Sequence, residues 1–103
     1  MFVQEPIQLR PKRAMQLTIN ADDTNTIWYS VSSSEEVKLF LVDEQGLNNI
    51  RQKNLFRNYN RIAQGRNIEE TINLPFRGRF YLLIYNPYAH DIFLNHDIRL
   101  VYS

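Results

Sequence analysis

The sequence IFLNHDIRLVY, residues 92–102, alternates between apolar and polar side chains over most of its length. Side chains that point to opposite sides at successive residues belong to a β-strand with one buried and one solvated face. Alternating or wholly apolar runs of strand length recur at 15–19, 26–31, 37–42, 68–74 and 80–85. No segment of helical period is long enough to bridge parallel neighbours, which predicts antiparallel strands. The sequence therefore predicts an all-β fold, an antiparallel two-sheet sandwich, jelly-roll-like, of seven to eight strands.

Two of these runs are apolar on both sides, which predicts central strands that are covered on both faces. They are residues 37–42, where Lys38 is the exception, and residues 80–85. The other runs are expected to bury one face. The predicted core contains Trp28, Leu39, Leu41, Ile72, Leu82, Ile84, Ile98 and Leu100.

The length of 103 residues, of which 44% are hydrophobic, indicates one domain. Residues 1–13 contain Pro6 and Pro11. Because proline cannot donate to a β-ladder, this segment is predicted to be an extended lead-in or an edge strand. Residues 14–103 are predicted to form the single β-sandwich domain.

Three segments of that domain are predicted to be irregular. Residues 32–36 are expected to form a loop and residues 43–46 a turn, in which Gly46 is free to adopt a positive φ. Residues 47–66 contain five asparagines, which disfavour a helix. They are predicted to form an irregular basic loop, and loops of this length inside compact domains often carry binding.

The chain contains no cysteine, which excludes a disulfide framework, a thiol nucleophile and a thiolate metal site. Its first residues lack the basic-then-apolar pattern of a signal peptide, and no apolar run approaches the length of a transmembrane helix. A cytoplasmic protein is therefore expected. The alternative is a domain excised from a longer exported protein.

The net charge is only +1, but the charges are unevenly distributed. Residues 21–44, here called the acidic segment, have a net charge of −5, and residues 47–79, the basic segment, have a net charge of +5. Segments of opposite sign can pair with charged partners or with copies of the same chain. The simpler alternative is that these charges are solvated separately.

The basic segment is the strongest candidate for a functional surface. Its proposed interaction residues are Arg51, Lys53, Phe56, Arg57, Tyr59, Arg61, Arg66, Arg77 and Arg79. Guanidinium groups and aromatic rings together suit phosphates and single-stranded bases. The low net charge is weaker than that of a dedicated nucleic-acid binder. A solvated or locally ion-paired loop, a protein-binding or self-association surface, and a glycan or polyanion site all remain open.

Other candidate sites are weaker. His90 and His96 each precede an aspartate, but on a strand His96 and Asp97 point to opposite faces. The oxygen-rich stretch 22–25 resembles a calcium loop but lacks a glycine and a distant bidentate glutamate. Tyr81, Tyr85, Tyr88 and Phe93 are expected to pack rather than to form a glycan platform. We therefore predict no catalytic residue, no metal site and no cofactor.

The order of the strands resembles the GOLD (Golgi dynamics) type of β-sandwich and its bacterial relatives. The resemblance is carried by WYSV at 28–31, VKLFLVD at 37–43, INLP at 72–75, GRFYLLIYN at 78–86 and the closing VY at 101–102. The pre-peptidase C-terminal domain family has a similar strand order. The cysteine pair, signal peptide, coiled coil and membrane span of the secretory-pathway members have no counterpart here.

Both resemblances imply a noncatalytic accessory or interaction module. Together with the charge distribution, they lead us to expect a protein-interaction or self-association module that forms a homo-oligomer or binds a protein partner. The alternative is a module that binds a glycan or a polyanion such as nucleic acid through residues 51–66.

Overall fold

A computed structural model describes residues 5–102 of the chain, and the parts of the predictions that concern residues 1–4 and Ser103 lie outside this range. The elements, in chain order, are β1 (Ile7–Leu9), β2 (Ala14–Ala21), β3 (Thr26–Asp43), α1 (Glu44–Arg51), β4 (Gln64–Asn73), β5 (Gly78–Tyr85) and β6 (Ile92–Val101). All strand pairs are antiparallel. The predicted all-β, antiparallel fold is confirmed, and the described residues form six strands rather than seven or eight.

The six strands form one sheet that curls into a half-barrel. The strand order is β1-β6-β3-β5-β2, and β4 pairs with the remaining edge of β3. The 18-residue strand β3 organises this sheet, because its first half pairs with both β6 and β4 and its second half pairs with β5. The half-barrel therefore has two limbs that share β3. One limb contains β1, β6 and β4, and the other contains β5 and β2.

The prediction of a loop at residues 32–36 is wrong, since β3 continues through this segment. Ser32 and Ser33 pair with Asn95 and Leu94 of β6, while the register with β4 shifts between Ser32 and Val37. The polar run therefore marks an irregularity in a continuous strand, where β3 passes from one limb to the other.

The core lies inside the half-barrel, between the two limbs. Of the predicted core residues, five are buried: Leu39, Leu41, Ile72, Leu82 and Ile84. Ile98 and Leu100 are half-buried and pack against this cluster. Alternation along each strand thus predicts most of the core correctly.

Trp28 is the error in the predicted core. Ile27 and Tyr29 face inward and are fully buried, so the alternation of β3 turns Trp28 outward. Its indole Nε1 donates to Glu69 Oε1 at 3.0 Å, and the Arg99 guanidinium lies 5.3 Å from its ring centre. These contacts cover the indole on the outer face without placing it in the core.

A second apolar cluster lies on the outer face of β5 and of the second half of β3. It contains Val42, Leu47, Tyr81 and Leu83, with Phe40, Ile50 and Phe56 packed against them. Helix α1 supplies part of this cover. The cluster explains why the sequences of these two strands are apolar on both sides, as predicted for central strands.

Helix α1 replaces the predicted turn at 43–46 and the start of the predicted irregular loop. Asp43 caps the helix by accepting a hydrogen bond from the Gly46 N–H at 2.7 Å. Gly46 is helical and has no positive φ; a Cβ here would approach the Cβ of Val42 to 2.9 Å. Packing of Leu47 and Ile50 onto the sheet outweighs the poor helix propensity of the asparagines.

Asn86 joins the start of the chain to the turn between β5 and β6. It is fully buried, and its side-chain Nδ2 donates to the carbonyl groups of Leu9, Arg10 and His90 at 2.9–3.1 Å. Its backbone N–H donates to the Arg13 carbonyl at 3.0 Å. One amide side chain therefore fixes the path of residues 9–13 from β1 to β2.

Candidate interaction surface

The candidate surface is built on residues 54–63, which connect α1 to β4 without regular secondary structure. This connection follows the second half of β3. The Tyr59 N–H donates to the Leu41 carbonyl, and the Leu39 N–H donates to the Ala63 carbonyl, both at 2.8 Å. Asn60 lies between them and pairs by its side chain, accepting from the Leu41 N–H and donating to the Leu39 carbonyl. The Asn60 amide thus takes the place of a backbone pair.

A buried carboxylate holds the other side of the connection. Glu70 of β4 points inward and is only 8% exposed. It accepts hydrogen bonds from the backbone N–H groups of Arg61 and Ile62, at 3.2 and 2.8 Å, and from the Tyr29 hydroxyl at 2.8 Å. Burial, together with the hydrogen bond to Glu70 and its negative charge, raises the pKa of Tyr29 well above its usual value. Tyr29 therefore stays a neutral donor to the carboxylate.

Two of the predicted arginines and one predicted tyrosine share a cleft. The cleft has a volume of about 290 Å³, and Arg57, Tyr59 and Arg61 line it together with Asn58, Ile72, Asn73 and Pro75. The Arg57 guanidinium lies 5.3 Å from the centre of the Tyr59 ring, a cation–π arrangement. One exposed cation thus lies beside the aromatic ring, and a second exposed cation lines the same cleft.

Two further contacts hold the Tyr59 side chain in place. Its ring packs edge-on against Phe80 with 5.5 Å between ring centres, and its hydroxyl donates to Asp43 Oδ2 at 3.1 Å. The Phe80 ring in turn contacts Phe76 at 5.0 Å, and Phe76 is 46% exposed. The rings of Tyr59, Phe80 and Phe76 therefore form a packed row that ends at an exposed phenylalanine.

The other predicted interaction residues lie elsewhere. Arg51 ends α1 and Lys53 follows it with a φ of 60°. Phe56 packs edge-on against Phe40 in the outer cluster, with 5.7 Å between ring centres, so its ring is not a free stacking surface. The structure thus divides residues 51–66 into several patches instead of one continuous binding loop.

Arg66, Arg77 and Arg79 are separated from the cleft of Arg57. The Arg66 guanidinium donates to the Ser34 carbonyl at 2.5 Å and lies in a shallow cleft with Glu35 and Glu36. Arg77 lines another cleft, and Arg79 Nε donates to Asn20 Oδ1 at 3.3 Å.

The acidic and basic segments remain largely unpaired within the chain. Two ion pairs join described residues, His90 with Glu35 and Arg99 with Asp97. Neither joins a described residue of the acidic segment to one of the basic segment. All seven cations of the basic segment are exposed: Arg51, Lys53, Arg57, Arg61, Arg66, Arg77 and Arg79. The cations of the basic segment are therefore accessible to other molecules.

The weaker candidate sites have structural partners. His90 contacts Glu35 and stacks on Tyr88 with 5.3 Å between ring centres. Thr24, in the oxygen-rich stretch, is buried and donates to the Val101 carbonyl at 2.6 Å. Tyr81 is buried beneath α1. Over residues 5–102, no group of three or more His, Cys, Asp or Glu side chains could hold a metal ion.

Sequence reasoning missed Asn60 and Glu70, the residues that hold this surface in place. Glu70 occupies an inward position on β4 between the buried Ile68 and Ile72, and this position was the signal that the sequence offered.

No described helix is long and apolar enough to cross a membrane. No family model and no curated protein matches the chain.

Proposed function

We propose that this protein is a noncatalytic interaction module that self-associates or binds a protein partner by pairing charges of its acidic and basic segments. One observation supports this most directly: no ion pair joins described residues of these two segments within the chain. Exposed charges that are not neutralised internally attract complementary surfaces over about 10 Å at moderate salt. The resemblance to GOLD-type and pre-peptidase C-terminal domains favours the same class of protein.

The arrangement of the charges supports pairing between molecules. The connection that carries Arg57 and Arg61 is held by Asn60 and Glu70, so these cations start from a fixed backbone. A surface whose backbone is already ordered loses less conformational entropy on association. We also propose that the two limbs of the half-barrel form a two-sheet, jelly-roll-like sandwich, which the core between them supports.

The test is sedimentation velocity at 50 and 500 mM salt. We expect larger species at low salt and dissociation at high salt, because exposed ion pairs are screened. The variant Arg57→Ser/Arg61→Ser should weaken association at low salt, whereas Arg10→Ser/Arg99→Ser, with the same loss of charge elsewhere, should not. A monomer at both salt concentrations, with no protein partner captured at low salt, refutes the proposal.

A second candidate function is polyanion or glycan binding in the cleft of Arg57, Tyr59 and Arg61. The specific observation is that two guanidinium groups and a tyrosine ring line one cleft of about 290 Å³. Titration of a fluorescent single-stranded oligonucleotide and a glycan array test it. Binding that is lost in Arg57→Ser/Arg61→Ser but retained in Arg10→Ser/Arg99→Ser supports this function. No binding in either assay removes it.

A further inference from the structure

Strand β2 has an outer edge that pairs with no other strand in the described part of the chain. It pairs with β5 along all eight of its residues, and no backbone hydrogen bond joins its other edge to another described segment. Four of its eight residues, Ala14, Gln16, Thr18 and Asn20, are exposed. Edges of this kind are templates for another strand.

The composition of β2 leaves this edge unprotected. Its sequence, AMQLTINA, contains no charged residue, no proline and no glycine. Natural proteins usually protect a long edge with such residues or with a bulge. By contrast, β4, which pairs only with β3 among the described strands, carries the exposed charged residues Arg66 and Glu69. Of the described strands with four or more residues, β2 is the one without a charge.

The register shows which backbone groups point outward. The Asn86 N–H donates to the Arg13 carbonyl, and the ladder continues with Ala14 opposite Tyr85. Because hydrogen-bonded pairs alternate in an antiparallel ladder, the odd-numbered residues of β2 bond to β5. The even-numbered residues, including Gln16 and Thr18, therefore present their N–H and C=O groups to the open edge.

The ends of β2 carry opposite charges. Lys12 and Arg13 precede the strand, and Asp22 and Asp23 follow it. All four residues are exposed, and no ion pair between described residues involves them. When two copies of such a strand lie antiparallel across a two-fold axis, the basic end of each meets the acidic end of the other.

We propose that a second copy of this chain docks on the outer edge of β2, so that two β2 strands pair antiparallel and the sheets of both copies become continuous. The proposal deepens the proposed function of self-association and rests on it, but it uses Lys12 and Arg13 in place of the basic segment. The uncharged strand centre brings no like charges together at the two-fold axis. The complementary ends select this orientation over a parallel one.

The dimer also covers apolar surface. Met15 and Leu17 face the core side of β2 but are only half-buried. In the antiparallel pair, same-face residues lie opposite one another, so Met15 and Leu17 of each copy contact the equivalent face of the other strand. About eight backbone hydrogen bonds form between the even-numbered residues.

The first test is the variant Thr18→Pro, measured by sedimentation equilibrium. Proline here removes an N–H that faces the open edge and keeps the bonds to β5, so the fold tolerates it. The matched control is Thr71→Pro on β4. The Leu74 N–H bonds to the Asn25 carbonyl, so the alternation turns the Thr71 N–H to the open side of β4.

We expect Thr18→Pro to raise the dimer dissociation constant about 30-fold and Thr71→Pro to leave it unchanged, since each dimer loses two hydrogen bonds only in the first variant. Circular dichroism checks that both variants are folded. A wild-type chain that is still monomeric at about 200 µM overturns the proposal, as does an equal effect of both substitutions.

The second test exchanges the charges at the strand ends. Asp22→Lys/Asp23→Lys and Lys12→Glu/Arg13→Glu should each weaken self-association, because like charges then meet at both ends of the pair. Mixing the two variants should restore dimers, since each end of the mixed pair again combines opposite charges. No recovery on mixing overturns the antiparallel arrangement. If the Arg57→Ser/Arg61→Ser variant still forms the dimer, the proposal that the acidic and basic segments pair is refuted. The proposal of a β2 dimer is then retained.

Discussion

Replacing Glu70 by alanine should destabilise the fold by about 3 kcal/mol. The substitution leaves three donors without their acceptor: the buried Tyr29 hydroxyl and the backbone N–H groups of Arg61 and Ile62. A buried donor that loses its partner costs about 1–3 kcal/mol, and the two N–H groups, which water can reach, cost less than the hydroxyl. The total is a large share of the roughly 5–15 kcal/mol that stabilises a domain of this size.

Urea denaturation followed by tryptophan fluorescence measures this change. The matched control is Glu69→Ala, which removes the neighbouring carboxylate on the outer face and one hydrogen bond from Trp28. It should cost no more than about 1 kcal/mol because the group is exposed. Glu70→Gln should lie between the two, since an amide oxygen in the Oε1 position still accepts from Tyr29 and Ile62. If Glu70→Ala and Glu69→Ala destabilise the protein equally, the carboxylate does not hold the connection.

Three further predictions concern single residues. Because the pKa of Tyr29 is raised in the folded state, the unfolded chain releases this proton first, and stability should fall as pH rises above about 10; Tyr29→Phe should reduce that fall in urea titrations at pH 9 and 11. Asn86→Ala should cost about 2–4 kcal/mol in the same assay, because three carbonyl groups lose their donor, whereas the exposed Asn73→Ala should change little. Gly46→Ala should lower the melting temperature despite its better helix propensity, because its Cβ would lie 2.9 Å from that of Val42; the exposed Gln45→Ala serves as its control.

Hydrophobic alternation predicts the fold wherever each strand has a defined inner face. The runs at 37–42 and 80–85 were predicted to be covered on both sides, and the structure covers them with the core and with α1. Trp28 shows the limit of this reasoning. A large aromatic side chain suggests burial, but the neighbouring Ile27 and Tyr29 are buried on the inner face, so alternation turns Trp28 to the outer face.

The missed features depend on tertiary contacts that no local pattern reveals. Helix α1 has an unfavourable composition and forms because Leu47 and Ile50 find an apolar surface on distant strands. The serines at 32–34 look like a loop but lie within a strand, because β6 pairs with Ser32 and Ser33. Asn60 was counted among loop formers, yet its amide mimics the backbone of a strand.

For the basic segment, the structure groups only some of the predicted interaction residues. The sequence placed Arg57, Tyr59 and Arg61 in one candidate surface, and these three do line one cleft. It also included Phe56, whose ring the outer cluster occupies. In a connection without regular secondary structure, the spacing of residues does not predict the direction in which each side chain points.

The long strand β3 has a consequence for how this protein unfolds. The first half of β3 pairs with β4 and β6, and the second half pairs with β5. If the hydrogen bonds of β3 break in one limb, the hydrogen bonds of β3 in the other limb therefore become exposed. Slowly exchanging amides in both limbs should therefore become labile in one cooperative step. A break in the chain within β3 would separate the two halves of the strand and, with them, the two ladders that the strand connects.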